Sequence, residues 1–415
     1  MEVALVTAGS RGDVEPYLAL GEALAERGHA VRLLAPAGFE ALFEGSPVRY
    51  RPVGLDPRTA IGADALARIF HAGGRGLRFV RELIRAYEEA TPAFLEGISR
   101  ELKGAELVVF GSLGMAAWHW AEARGVPAVA AFLQPLLPTR AFPAPIGPWP
   151  RALSRFGAFN RLTYWIASLL AWQLVRRSSG RYRRRLGLKP LGLLGPLPRM
   201  LRSGVPVLFG FSEAVVPRLP DWPERFAITG YWRRSARDFR PPEALVRFLE
   251  AGGPVVYVGF GSMRPPDPGA FFAEIRRALK LAGVRAVLAR GWAGAPVEAG
   301  DDLFVLDEIP HAWLFPRVAA AVHHGGAGTS AAVFASGVPG VWVPFIADQF
   351  FWAERARALG VAPLSVPARR LDARALAAAI RAALEPGPRA AARALAERLS
   401  KEDGAARAAA VLEER

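Results

Sequence analysis

Apolar runs rich in β-branched residues alternate with longer Ala/Leu/Arg stretches of helical character along this chain, and the pattern runs twice. The first half carries EVALVTAG, HAVRLLAP, ELVVFGS, GVPAVAAF and VPVLFGFS. The second starts again with PVVYVGFGS, RAVLARG, LFVLDEI, AAAVHHGG and GVPGVWVPF. Such alternation predicts parallel strands joined by crossover helices, so the expected fold class is α/β with two doubly wound, Rossmann-like domains. A length of 415 residues exceeds what one hydrophobic core usually organises, which agrees with two domains of roughly 200 residues each. The segment 213–253 is rich in proline and turn residues and reads as the joint. The expected layout is 1–215 as a first domain, 216–253 as a linker, 254–390 as a second domain and 391–415 as C-terminal helices. Ligands of such sheets bind outside the carboxyl ends of the strands, which predicts a site in a cleft between the domains.

Hydrophobic content of 52% with 22% charged residues places the chain with folded globular proteins. The absence of cysteine excludes disulfides, thiolate metal sites and a cysteine nucleophile. MEVALVTAGS reads as a strand with an acidic second residue and not as a signal peptide, which predicts a cytoplasmic protein. No apolar stretch reaches the roughly 18 residues of a membrane span. The net charge of +15 is regional: from Arg124 to Ser212 there are fourteen Arg or Lys residues and no Asp or Glu. Either an anionic surface, membrane lipid or nucleic acid, or a solvated arginine-rich face accounts for that pattern.

AAAVHHGGAGTSAA, residues 319–332, reads as a buried strand, a glycine turn and a helix beginning near Thr329. The amides and dipole of such a helix start attract anions, and Gly325, Gly326 and Gly328 let the backbone approach one closely. A phosphate cradle and ordinary strand-turn-helix packing both fit the residues. A metal site does not: adjacent strand side chains point to opposite faces, so His323 and His324 do not share one ion, and no third ligand is near. Downstream, GVPGVWVPFIADQ delivers Asp348 and Gln349 at a strand end, a carboxylate and an amide suited to vicinal sugar hydroxyls, although Asp is also frequent at helix caps.

Together HHGGAGTSAA, GVPGVWVPFIADQ and IPHAWLFPRVAAAV resemble the C-terminal donor signature of family 1 nucleotide-sugar glycosyltransferases. TAGSRGDVEPYLALGEALAERGHAV, VGFGSM, the Gly291–Trp292 pair, and DWP followed by ITGYW resemble its sterol glucosyltransferase and glycopeptide/macrolide branch. The resemblance implies the GT-B fold, with acceptor bound mainly by the N-terminal domain and donor by the C-terminal one. It implies that His323, Gly325, Gly326, Gly328, Thr329 and Ser262 bind the donor diphosphate, and that Asp348 and Gln349 bind the donor sugar. Trp292 and Ile309 would lie at the nucleotide. Two residues depart from the family pattern, Glu308 for a uracil-stacking tryptophan and Ala331 for a ribose-binding glutamate, so both UDP-glucose and a dTDP-sugar stay open as donor.

The implied chemistry is inverting sugar transfer without a required cofactor or metal, for no Asp-x-Asp motif is present. An acceptor hydroxyl needs a base, and the branch resembled places Asp13 there, though Asp13 also suits a cap on a helix starting near Pro16. In FNRLTYWIASLLAWQLVRRSSGRYRRRLG, Trp165, Leu169 and Trp172 share a helical face flanked by arginines. That stripe fits a lipid-like acceptor or an anionic membrane surface, and equally a packed core face. A sterol, hopanoid, carotenoid or glycerolipid acceptor leads, with a soluble macrolide-like aglycone second. A nucleotide-sugar epimerase would not need the aromatic 132–194 segment. The NAD fingerprint spacing is absent, and no nucleic-acid partner is expected, since charge alone supports one.

Overall fold

The structure, a computed structural model, describes residues 1–56, 91–234, 239–294 and 296–414. Two compact units divide it: Met1–Glu213 with Pro217–Arg234 and Asp403–Arg415, and Ser235–Glu402 with Ala214–Val216.

The first unit is built on a seven-stranded sheet in the order β3-β2-β1-β4-β5-β6-β7. Its strands are β1 (Glu2–Val6), β2 (Ala30–Ala35), β3 (Arg49–Pro52), β4 (Leu107–Phe110), β5 (Ala128–Phe132), β6 (Val207–Phe209) and β7 (Phe226–Ile228). All pairings are parallel, with Val3 opposite both Val31 and Leu107. Burial on both faces explains the continuous apolar runs of the central strands, since side chains of either parity meet helices. Strand β7 lies within the segment expected to be linker, and the stretch Pro217–Arg234 of that segment belongs to the first unit; residues 235–238 lie outside the described residues. The chain also returns at its end: the helix Gly404–Glu413 packs against the helix Arg11–Glu26, where Glu413 accepts from His29 Nε2 at 2.9 Å and from Arg27 Nε at 2.8 Å. The C-terminal helices are therefore not one element, because Pro386–Ser400 packs against the helix Ala327–Ser336 of the second unit.

The arginine-rich segment forms one 29-residue helix, Gly157–Arg185, pinned near its end by Arg183. That side chain is buried, and its Nη1 donates to Glu122 Oε2 at 2.8 Å and to His119 Nδ1 at 2.9 Å, while Nε donates to the Lys189 carbonyl at 2.8 Å. Burial first, and then Arg183, pushes the His119 pKa down to about 3, so the ring is neutral and accepts. One residue of the expected cationic patch is thus internal structure.

The second unit has a five-stranded parallel sheet in the order β10-β9-β8-β11-β12. Its strands are β8 (Val255–Gly259), β9 (Arg285–Ala289), β10 (Leu303–Leu306), β11 (Ala320–His323) and β12 (Gly340–Trp342). The helices Pro268–Ala282 and Ala373–Leu384 pack together and, with the sheet, enclose the core around Val258, Ile275, Leu288 and Ile380. Asp267 and Asp372 cap these two helices through their carboxylates, which fixes where each begins. In both sheets chain order reverses beside the first strand laid down, β1 against β4 and β8 against β11. A doubly wound sheet opens a crevice for ligand at the carboxyl ends of such a pair.

Candidate active site

At the β1 switch point the chain passes through Thr7 to Ser10 and enters the helix Arg11–Glu26. The helix begins at Arg11, not near Pro16, which lies inside it. Asp13 occupies the third helical position, and its Oδ2 accepts from the Ser10 amide at 2.8 Å and the Ser10 hydroxyl at 3.1 Å, forming a capping box. The carboxylate folds back over Gly9, which has φ of +119°; a Cβ there would stand 2.4 Å from Asp13 Oδ2. Asp13 is half-buried, and the buried Tyr17 one turn on feels its charge. The cap role and a position at the carboxyl edge of the sheet are thus both present in one carboxylate.

At the second switch point three loops converge. The turn after β8 carries Gly261 and Ser262, and the Gly261 carbonyl accepts from the Trp292 amide at 2.9 Å, which brings the turn after β9 alongside. The turn after β11 carries His324 to Gly326, and the helix starts at Ala327, two residues before the expected Thr329. No side chain caps this helix, so its first-turn amides, Gly328 and Thr329 among them, lack intrahelical partners. Gly325, at φ of +88°, sits where a Cβ would meet Trp342 Cδ1 at 2.5 Å. Trp342 braces the loop further by donating from Nε1 to Ser330 Oγ at 3.1 Å.

The two histidines differ in place. His323 is fully buried at the end of β11, its ring 4.4 Å from that of Trp342, and its Nδ1 accepts from the Gly325 amide at 3.1 Å. That bond puts the ring proton on Nε2, and burial holds the pKa well below the usual histidine range. The structure therefore does not bring His323 to the surface of the loop. His324 is partly exposed, its ring set between Gly261 and Gly326, and burial followed by His311 pushes its pKa down to about 4. A neutral imidazole at the mouth of the loop is a functional candidate that the reading of the sequence assigned to its neighbour. The alternation of side chains along β11 is the signal that separates the two.

Other expected residues are placed unequally. Asp348 caps the helix Gln349–Ala358 by position, is half-buried, and accepts from Trp352 Nε1 at 2.9 Å. Gln349 is turned inward: its Oε1 accepts from the Phe345 and Ile346 amides at 2.7 and 3.2 Å, and its Nε2 faces Met263 Sδ at 3.3 Å. Its amide shapes the turn that presents Asp348, with Ala347 at φ of +54°, and does not face solvent. Ile309 is buried, whereas Trp292 is partly exposed beside the Gly261 turn. Ala331 is buried and Ala332 is the partly exposed residue of the pair, so the helix offers no carboxylate at either position. Trp172 is also buried, donating from Nε1 to the Gly192 carbonyl at 3.0 Å, so it does not continue an exposed face with Trp165 and Leu169. Among the described residues no group of three or more His, Cys, Asp or Glu is placed to hold a metal ion.

Two doubly wound parallel sheets with a glycine loop at the second switch point place the chain in the GT-B class of glycosyltransferase folds. Solved structures agree: the calicheamicin glycosyltransferase CalG4 superposes with a TM-score of 0.67 at 20% identity, covering 100% of this chain and 97% of that one. The glycosyltransferase VinC, solved in complex with dTDP, gives 0.66 at 20% identity over 100% and 99%. Residues 3–143 match the glycosyltransferase family 28 N-terminal domain, and residues 297–412 the erythromycin biosynthesis protein CIII-like C-terminal domain. An O-mycaminosyltylonolide 6-deoxyallosyltransferase of Streptomyces fradiae is 36% identical over 100% of this chain and 97% of its own length. A sterol 3-beta-glucosyltransferase of Arabidopsis thaliana is 33% identical over 98% of this chain and 67% of its own. A sterol 3-beta-glucosyltransferase of Cryptococcus neoformans, also 33% identical, is spanned over 27% of its length. The chain belongs to the glycosyltransferases of the sterol-glucosyltransferase and macrolide-glycosyltransferase type.

Proposed function

We propose that the protein transfers a hexose, with inversion, from a nucleotide diphosphate to the hydroxyl of a hydrophobic, lipid-like acceptor, with UDP-glucose as the first donor to test. The acceptor O–H proton passes to the Asp13 carboxylate as its oxygen bonds to the anomeric carbon. The bond from that carbon to the diphosphate oxygen breaks, and the leaving group takes the electron pair. Charge developing on the diphosphate meets the uncapped amides of Gly328 and Thr329, the Ser262 hydroxyl and the His324 ring. His323 acts behind them by fixing the Gly325 amide, and Gln349 by fixing the turn that presents Asp348 to the sugar. The observation that carries the reading is the meeting of the uncapped helix start with the β8 and β9 turns at one switch point.

A second reading is transfer of a 6-deoxyhexose from dTDP to a macrolide-like acceptor. It is favoured by the inward Gln349 and by Ile346 and Phe350, exposed on either side of Asp348, which leave few polar contacts for a sugar. No helix among the described residues is long and apolar enough to cross a membrane, so a lipid acceptor would be met at a membrane surface.

Incubation of the protein with UDP-glucose and a sterol, and separately with a dTDP-6-deoxyhexose and a macrolactone, both in EDTA, separates the readings. The expected product is a β-linked sterol glucoside by NMR. A macrolide glycoside alone would select the second reading, and free sugar without glycoside from either pair would overturn both.

A further inference from the structure

We infer that the exposed face of the helix Gly157–Arg185 is a docking surface for an anionic phospholipid bilayer, made by residues other than the tryptophan stripe of the sequence. Leu162, Ile166 and Leu170 stand open at 53, 36 and 63% exposure, and they recur every four residues on one side of the helix. At about 100° per residue they occupy one strip, and the same strip continues toward the C-terminus through Arg181 and Arg184, both exposed. One helix face is thus apolar over its first half and cationic over its second.

The neighbouring segment widens the apolar half. Gly192 and Leu193 lie alongside through hydrogen bonds from Trp172 Nε1 to the Gly192 carbonyl, 3.0 Å, and from Gln173 Nε2 to the Leu193 carbonyl, 3.4 Å. Leu193 and Leu194 are themselves 58 and 48% exposed. The burial of Trp172 beneath this segment explains why the open strip is rotated from the tryptophans toward the leucines.

Charge decides the occupant. No acidic residue occurs between Arg124 and Ser212, so the stretch carries cationic charge with no acidic residue of its own. Arg183 and Arg185 are spoken for, by Glu122 and by Glu96 at 3.7 Å, and neither belongs to the strip. Aliphatic side chains that enter the acyl boundary beside guanidinium groups that meet lipid phosphates are what a bilayer of anionic lipid accepts, and what a second apolar protein face does not require.

The inference does not depend on the sugar-transfer reading, because vesicle binding is read without donor or acceptor. Co-sedimentation with vesicles of phosphatidylcholine alone, and with an equimolar mixture of phosphatidylcholine and phosphatidylglycerol, tests it. Binding to the anionic vesicles is expected, weakening as salt rises, since screening shortens from about 10 Å at 0.1 M to about 3 Å at 1 M. The triple variant Leu162→Gln, Ile166→Gln, Leu170→Gln, and the double variant Arg181→Gln, Arg184→Gln, should each lose about tenfold or more in partitioning. Their melting temperatures should stay at the wild-type value, since every substituted side chain is exposed. Equal binding to neutral vesicles, wild-type binding by the triple variant, or a concentration-dependent dimer that the triple variant abolishes without any vesicle binding would each overturn it.

Discussion

Asp13→Asn lowers kcat for sugar transfer by about 10²- to 10⁴-fold, the range that a positioned general base supplies, while the melting temperature and the affinity for nucleotide diphosphate stay near wild type. The amide is chosen because its oxygen can still accept from the Ser10 amide at the position where Asp13 Oδ2 now stands, 2.8 Å away. The capping box therefore survives in part and the basic carboxylate is lost. Asp13→Ala removes both and should also cost about 0.5–2 kcal/mol of stability, as lost N-caps do. Steady-state kinetics with thermal melts of both variants separates the roles. Turnover of the asparagine variant within a few-fold of wild type would return Asp13 to the cap alone.

His324→Ala should weaken UDP or dTDP binding by roughly 10- to 100-fold, the value of a hydrogen bond to a charged group, with a smaller loss of stability than at the fully buried His323, because the residue is only partly buried. His323→Ala should cost more stability. It empties a fully buried site against Trp342 and leaves the Gly325 amide without its acceptor at 3.1 Å, so the fold weakens by about 2–4 kcal/mol. Isothermal titration with the nucleotide diphosphate, beside urea denaturation, reads both quantities. Equal loss of affinity in two equally stable variants would contradict the division of labour between the histidines.

Ten of the twelve strands among the described residues coincide with apolar runs visible in the sequence, because a parallel strand covered on both faces has no polar alternation to obscure it. The two that escape have reasons of their own. Strand β3, RYRP, lies at the sheet edge with mostly exposed side chains, and β7 is three residues long inside a proline-rich segment. The strand, glycine turn and helix start around β11 were legible from composition alone.

What was not legible depends on partners distant in sequence. Gln349 is claimed by Met263 and Trp172 by Gly192, and no local pattern announces either contact. Pro16 suggested a helix start, yet the helix had begun five residues earlier with Ser10 as its cap. The choice between two adjacent histidines needed the register of β11, in which His323 pairs with both Gly259 and Trp342.

The most direct test of the central claim is the melting temperature of the purified protein with UDP, dTDP, UDP-glucose, NAD and a single-stranded oligonucleotide, each added in EDTA. A ligand that binds only the native state raises the midpoint, by an amount equivalent to about 2.7 kcal/mol at a hundredfold excess over Kd. The account predicts a rise with UDP or dTDP species and none with NAD or the oligonucleotide. A rise with NAD or the oligonucleotide, and none with any nucleotide diphosphate or sugar nucleotide, would contradict it at the loop from His324 to Thr329.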